Sequence, residues 1–148
     1  MLKITIAAVG TVKEKYMREA IEDYVKRMSR CYKLNFTECR ECATVEEEGV
    51  LLLKAIPDNA FTVALDLHGE QLGSEKLAEL IERKTVEGVS HICFVIGGSD
   101  GIAKAVTDRA AIRLCLSKMT FTHQMTRLII CEQLYRAMKI NNGEKYHK

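Results

Sequence analysis

The sequence has one proline, no tryptophan, and aromatic residues at only 6% of its 148 positions. One proline and nine glycines leave no material for a Pro-rich or Gly/Ser-rich linker, so a single domain spanning residues 1–148 is expected. Long hydrophobic runs are missing as well. The longest, Ile4 with Ile6–Val9, Ile92–Ile96 and Leu128–Cys131, fall far short of the roughly 20 apolar residues of a membrane helix. Charged residues crowd in from Lys13 before any long apolar segment develops, unlike a secretion signal. A large excess of one charge is also absent. With 22 Lys or Arg against 20 Asp or Glu, the net charge of +2 excludes a histone-like nucleic-acid protein. A hydrophobic share of 47% excludes general disorder. A soluble cytoplasmic protein, with no membrane association, is the expectation.

The balanced total conceals an uneven distribution. Residues 1–101 carry a balance of −4 and residues 102–148 one of +6, so an anionic partner would meet the C-terminal third. Six cysteines raise the question of disulfides or metal. Without an oxidising compartment the disulfide reading loses its footing. Cys39 and Cys42 have zinc-knuckle spacing but no second such pair, so no metal is expected. Cys93, Cys115 and Cys131 lie in apolar runs, where free cysteine acts as a small buried hydrophobe.

Hydrophobic periodicity orders the elements. Ile4–Val9, Phe61–Leu67 and Ile92–Ile96 read as buried strands, Leu34–Glu38 and Arg113–Leu116 as shorter ones. Between them, helical spacing appears over Tyr16–Met28, Thr44–Ile56, a segment capped by Ser74, Ala103–Ala111, and His123–Ile140 with a stripe of Met125, Leu128, Ile129, Leu134 and Met138. Glu46, Glu47 and Glu48 suit the positive end of the second helix. This alternation predicts an α/β fold, a mostly parallel sheet sandwiched by helices.

In such sheets ligands bind beyond the carboxyl ends of the strands. The rule selects three loops: Leu67–Gly73 with His68, Gly97–Gly101, and Ser117–Thr122. Three glycines in the five residues Gly97–Gly101 allow close approach to the backbone. The loop is neither a Walker loop nor a GxGxxG fingerprint, and a tight turn would explain it equally well. Thr122 could cap the last helix, placing His123 in its first turn, as a functional or a packing residue. Arg127, Arg136 and Lys139 share that helix, and Tyr146, His147 and Lys148 suit stacking on a base and pairing with phosphate.

The stretches LDLHGEQLGSEKLAELI, FVIGGSDGI and LSKMTFTHQMTRLIICEQLYRAMKINNGEKYHK, together with VGTVKEKYMREAIEDYVKRMSRCYKL, resemble the RlmH family of ribosomal RNA methyltransferases, within the SPOUT superfamily, nearly end to end. The resemblance implies a SPOUT-type fold with a deep C-terminal trefoil knot, a topology otherwise almost absent from proteins. It implies S-adenosylmethionine as cofactor, a homodimer, and methylation of N3 of a pseudouridine in 23S ribosomal RNA of the assembled ribosome. By motif the cofactor contacts are Leu65, Gly97, Leu116, Ser117, Lys118, Met119, Thr120 and Phe121. His123 and His147 become candidate proton acceptors, and Arg127, Tyr146, His147 and Lys148 candidate RNA contacts. Family members often have proline where this chain has Thr122. Competing readings are a SPOUT enzyme acting on transfer RNA, a non-catalytic module binding nucleotide or ribosome, and, most distantly, a zinc protein through Cys39 and Cys42.

Overall fold

In the computed structural model, which describes residues 1–148, β1 (Leu2–Val9) is an interior strand of the sheet. Its residues alternate between two faces, as a strand's must, and both faces are covered. Ile4, Ile6 and Ala8 join a core with α1 (Lys15–Met28), α3 (Ser74–Val86) and α5 (His123–Asn141). Ala7 and Val9 join a smaller core with α2 (Val45–Ala55) and α4 (Lys104–Arg109). The remaining strands are β2 (Tyr32–Cys39), β3 (Phe61–Gln71), β4 (His91–Ile96) and β5 (Ile112–Cys115). All pair in parallel in the order β2-β1-β4-β3-β5. The expected α/β sandwich is present, and every ladder in it is parallel.

Three local expectations are corrected. His68-Gly69-Glu70 is not a loop, because β3 continues to Gln71. The register against β5 slips between Leu65 and Glu70, and a side chain on Gly69 would come within 2.7 Å of the Arg113 carbonyl. Glycine permits that pinch, and the slip forms the bulge that a plain strand end would not have. Ser74 is the first helical residue rather than the cap, which is Gly73; its hydroxyl donates to Gln133 Oε1 at 2.6 Å and ties α3 to α5. The buried stripe of α5 is rotated from the expected one. It runs through Arg127, Ile130, Cys131, Leu134, Tyr135, Ala137 and Met138, because α5 lies between α1 and α3.

The N-terminus of α5 is set by Thr122, whose hydroxyl accepts from the Met125 amide at 3.1 Å. Threonine therefore does by capping what proline does by pre-set φ. Cys93, Cys115 and Cys131 are buried, as read from their apolar surroundings. No group of three or more His, Cys, Asp or Glu converges as a metal site, and no helix is long and apolar enough to cross a membrane.

Candidate active site

The carboxyl ends of β4 and β5 and the middle of β3, at Leu65–His68, open onto one cavity of about 1110 Å³. Of the three segments chosen by the strand-end rule, its wall takes all of Gly97–Gly101, Ser117 and Met119–Thr122 of the third, and only Leu67 and His68 of the first, which belong to β3. The structure thus brings together Leu65, Gly97, Leu116, Ser117, Met119, Thr120, Phe121 and His123. Lys118 is the member of its segment that does not line the cavity.

The glycine loop is a built feature. The Gly98 carbonyl accepts from the Gly101 amide at 3.1 Å, and Gly101 has φ +101°, a conformation suited to glycine. A Cβ on Gly97 would collide with the Gly101 carbonyl, so this turn admits no side chain there. Behind the loop stands Glu48, which is 8% exposed. Its Oε2 accepts from the Cys42 amide at 3.1 Å, and its Oε1 would lie 3.0 Å from a Cβ on Gly98. Glu48 was read in the sequence only as one of three charges suited to a helix dipole. Its burial depends on the β2–α2 loop, whose Cys42 amide it accepts from, and on the glycine turn packed against it, which no local pattern reports.

The 116–121 segment is irregular, and its residues make no backbone–backbone hydrogen bond. The Met119 amide is satisfied by Ser117 Oγ at 3.0 Å. Main-chain groups of this kind need partners, and all of these residues but Lys118 line the cavity. Tyr16, Leu67, Met119 and Phe121 are large, apolar and exposed, and all four border the same cavity. Glu14, Tyr16, Asp66 and Gln124 also line it without having been singled out in the sequence. Gln124 Oε1 accepts from the Lys13 amide at 3.0 Å, so the loop after β1 is tied to the start of α5.

Arg127 is corrected. It is 2% exposed, and its guanidinium donates to Glu38 Oε2 at 2.6 Å and to the Gly10 carbonyl at 3.1 Å. A side chain committed to the interior in this way does not reach an RNA surface.

Tyr146, His147 and Lys148 are not brought to this chain's own cavity. Tyr146 packs edge-on against Tyr135 with ring centroids 4.9 Å apart, and Arg136 lies 4.8 Å over its ring. Burial pushes the Tyr146 hydroxyl up to about 12, with Tyr24 and Glu132 adding to the effect. His147 Nδ1 is 3.1 Å from Arg136, and its Nε2 is 3.3 Å from Glu75. Glu144 bonds Lys139 and Arg30, and the Lys139 ammonium, ahead of Arg30, holds its carboxyl below the usual range.

A parallel α/β sandwich with a glycine-bordered cavity at the ends of its strands is a nucleotide- or cofactor-binding architecture. A family model described as "Predicted SPOUT methyltransferase" matches residues 2–147, and the chain belongs to that family. Among curated relatives, Ribosomal RNA large subunit methyltransferase H of Clostridium botulinum (strain Alaska E43 / Type E3) is 44% identical over 159 residues, covering 99% of this chain and all of the relative. The protein of the same name from Clostridium beijerinckii is 46% identical with the same coverage. A solved structure, a probable methylase family protein from Haemophilus influenzae Rd KW20, superposes with a TM-score of 0.57 at 14% identity. It covers 99% of this chain and 70% of that one, and supports the fold.

Proposed function

We propose that residues 1–148 act as one S-adenosylmethionine-dependent methyltransferase domain that methylates N3 of a pseudouridine in 23S ribosomal RNA of the assembled ribosome. The observation that carries the reading is the convergence of the Gly97 turn and of residues 116–121, whose main chain makes no backbone–backbone hydrogen bond, on a cofactor-sized cavity. The relatives named for a ribosomal RNA large-subunit activity supply the substrate class.

The residues present fit the cofactor. Backbone donors and acceptors of Leu65, Gly97, Leu116, Ser117 and Met119–Phe121, with Lys118 beside them in the same segment, suit a ligand rich in amide, hydroxyl and purine edges. Leu67, Met119 and Phe121 offer apolar faces to a base. Bound there, S-adenosylmethionine supplies a methyl group made electrophilic by its sulfonium. The protein's own contribution is positioning, which can supply a large part of such a barrier. The imide nitrogen of the base carries a proton that must leave, and His123, in the cavity wall at the first turn of α5, is the acceptor.

The functional unit in this reading is a cytoplasmic homodimer. A second chain would cover the exposed Tyr16, Leu67, Met119 and Phe121 around the cavity mouth. Its Tyr146-His147-Lys148 segment would meet the RNA over this cavity, which this chain's own segment does not line. The knotted SPOUT topology is part of the same proposal.

The test is methylation of whole ribosomes, isolated large subunits and naked 23S RNA, followed by mass analysis of nucleosides. Ribosomes are expected to be methylated on a pseudouridine and naked RNA poorly, because recognition depends on a preformed RNA shape. Methylation of transfer RNA alone would overturn the substrate assignment. Full activity after removal of Tyr146, His147 and Lys148 would overturn the role of that segment.

A further inference from the structure

One ring atom at the site has no partner. His123 Nε2 is buried and makes no hydrogen bond. It faces Gly10, the residue just past β1, whose φ of +84° suits glycine. A Cβ built on Gly10 would lie 3.3 Å from His123 Nε2 and 3.2 Å from Glu41 Oε1. The space left by the missing Cβ of Gly10 is therefore bordered by an orphaned imidazole nitrogen and by a carboxylate of the β2–α2 loop.

The frame around this gap is fixed. The Gly10 amide donates to the Cys39 carbonyl at 2.7 Å, and the Gly10 carbonyl accepts from Arg127 at 3.1 Å. The Glu41 side chain, in contrast, is exposed and free to turn. His123 lines the cavity, whereas Gly10 and Glu41 do not, so Nε2 is on the ring edge turned away from it. That leaves Nδ1 as the nitrogen available on the cavity side. Which nitrogen of a histidine is basic is decided by what the other one donates to.

We infer that Glu41 is a positioning residue for His123: its exposed carboxylate turns into the space left by the missing Cβ of Gly10, accepts Nε2–H and keeps Nδ1 unprotonated as the acceptor. The inference rests on the reading of His123 as the base. The imide proton passes to Nδ1, the resulting imidazolium is balanced by ionised Glu41, and the proton then leaves to water. Glycine at position 10 is required because any side chain there would enter the space between the two groups.

The first measurement uses protein without cofactor. Nitrogen NMR of ¹⁵N-histidine-labelled protein should show His123 with its proton on Nε2, and Glu41→Ala should move a large part of that population to Nδ1. In the ribosome assay Glu41→Ala should lower kcat roughly 10- to 100-fold with KM values within about twofold of the parent. Glu41→Asp should recover part of the rate. An unchanged tautomer in Glu41→Ala, whatever its rate, overturns the assignment. His123→Asn separates the two claims. If it is inactive while Glu41→Ala behaves as the parent, the role of Glu41 falls and that of His123 stands. If His123→Asn is fully active, the reading of His123 as the base falls with it.

Discussion

Arg127 of α5 and Glu38 of β2 form an ion pair at 2.6 Å in which the arginine side chain is 2% exposed and the glutamate side chain 42%. The same guanidinium caps the carbonyl of Gly10, just past the end of β1. One side chain therefore holds the first turns of α5, and with them the cavity wall, against two strands. Removal of one member of a buried pair leaves the other without compensation. Arg127→Leu should lower unfolding free energy by roughly 3 kcal/mol, and Glu38→Gln by less, because water reaches the glutamate. Urea unfolding of the two variants checks the order; equal, negligible losses would show that the pair holds nothing.

Gly97→Ala should separate binding from folding. Its methyl group meets the Gly101 carbonyl at the cavity wall, so the turn must open. S-adenosylmethionine should bind at least about tenfold more weakly, corresponding to roughly 1.4 kcal/mol or more. Calorimetry with the cofactor measures this directly. Unaltered affinity would remove the Gly97 turn from the site.

Glu144 makes the C-terminal contacts sensitive to acid. Its carboxyl is held below its ordinary value of 4.5 by Lys139 first and Arg30 next. A depressed folded value stabilises the contact above the unfolded value, and the stabilisation is lost as pH falls through the lowered one. The Tyr146–Tyr135 packing should therefore be intact at neutral pH and loosen only in acid, and Glu144→Gln should loosen it at every pH. Ring resonances of Tyr146 across a pH titration report the outcome. A loosening that begins near neutrality would contradict the assignment to Glu144.

The cysteines divide into two groups. Burial pushes the Cys93 and Cys131 thiols up to about 12, and Cys115 is buried with them. Only the thiolate is reactive. A thiol reagent on native protein should label Cys31, Cys39 and Cys42 alone, and all six after unfolding. Rapid native labelling of Cys131, read by mass spectrometry, would mean that α5 opens locally.

The sequence was most informative where burial is two-sided or where a turn demands a residue type. Ile4–Val9 and Ile92–Ile96 read as buried strands because both are short, apolar and rich in β-branched residues, with Thr5 the one polar residue, and the structure sheathes both faces of each. The Thr122 cap and the Gly97–Gly101 turn were legible for the second reason. Features set by tertiary contact were not. The extension of β3 through His68 depends on Gly69 meeting Arg113 of β5. The rotated stripe of α5 depends on two flanking helices, and Arg127 had the spacing of a solvated face while its partners lay 89 and 117 residues away. The resemblance carried the cofactor segment itself, since residues 116–121 bear no chemical signature of their own.

The Arg127 clamp on Gly10 also has a consequence for how the molecule is made. The first strand waits for a partner from the last helix, and the cavity wall includes residues as late as Thr126. A chain emerging from the ribosome N-terminus first can begin β1 and α1 but cannot complete a methyl-donor pocket until α5 has been released. Such long-separated contacts make folding slow. The enzyme should therefore be catalytically silent throughout its own synthesis, and become competent only after the last helix has left the ribosome that made it.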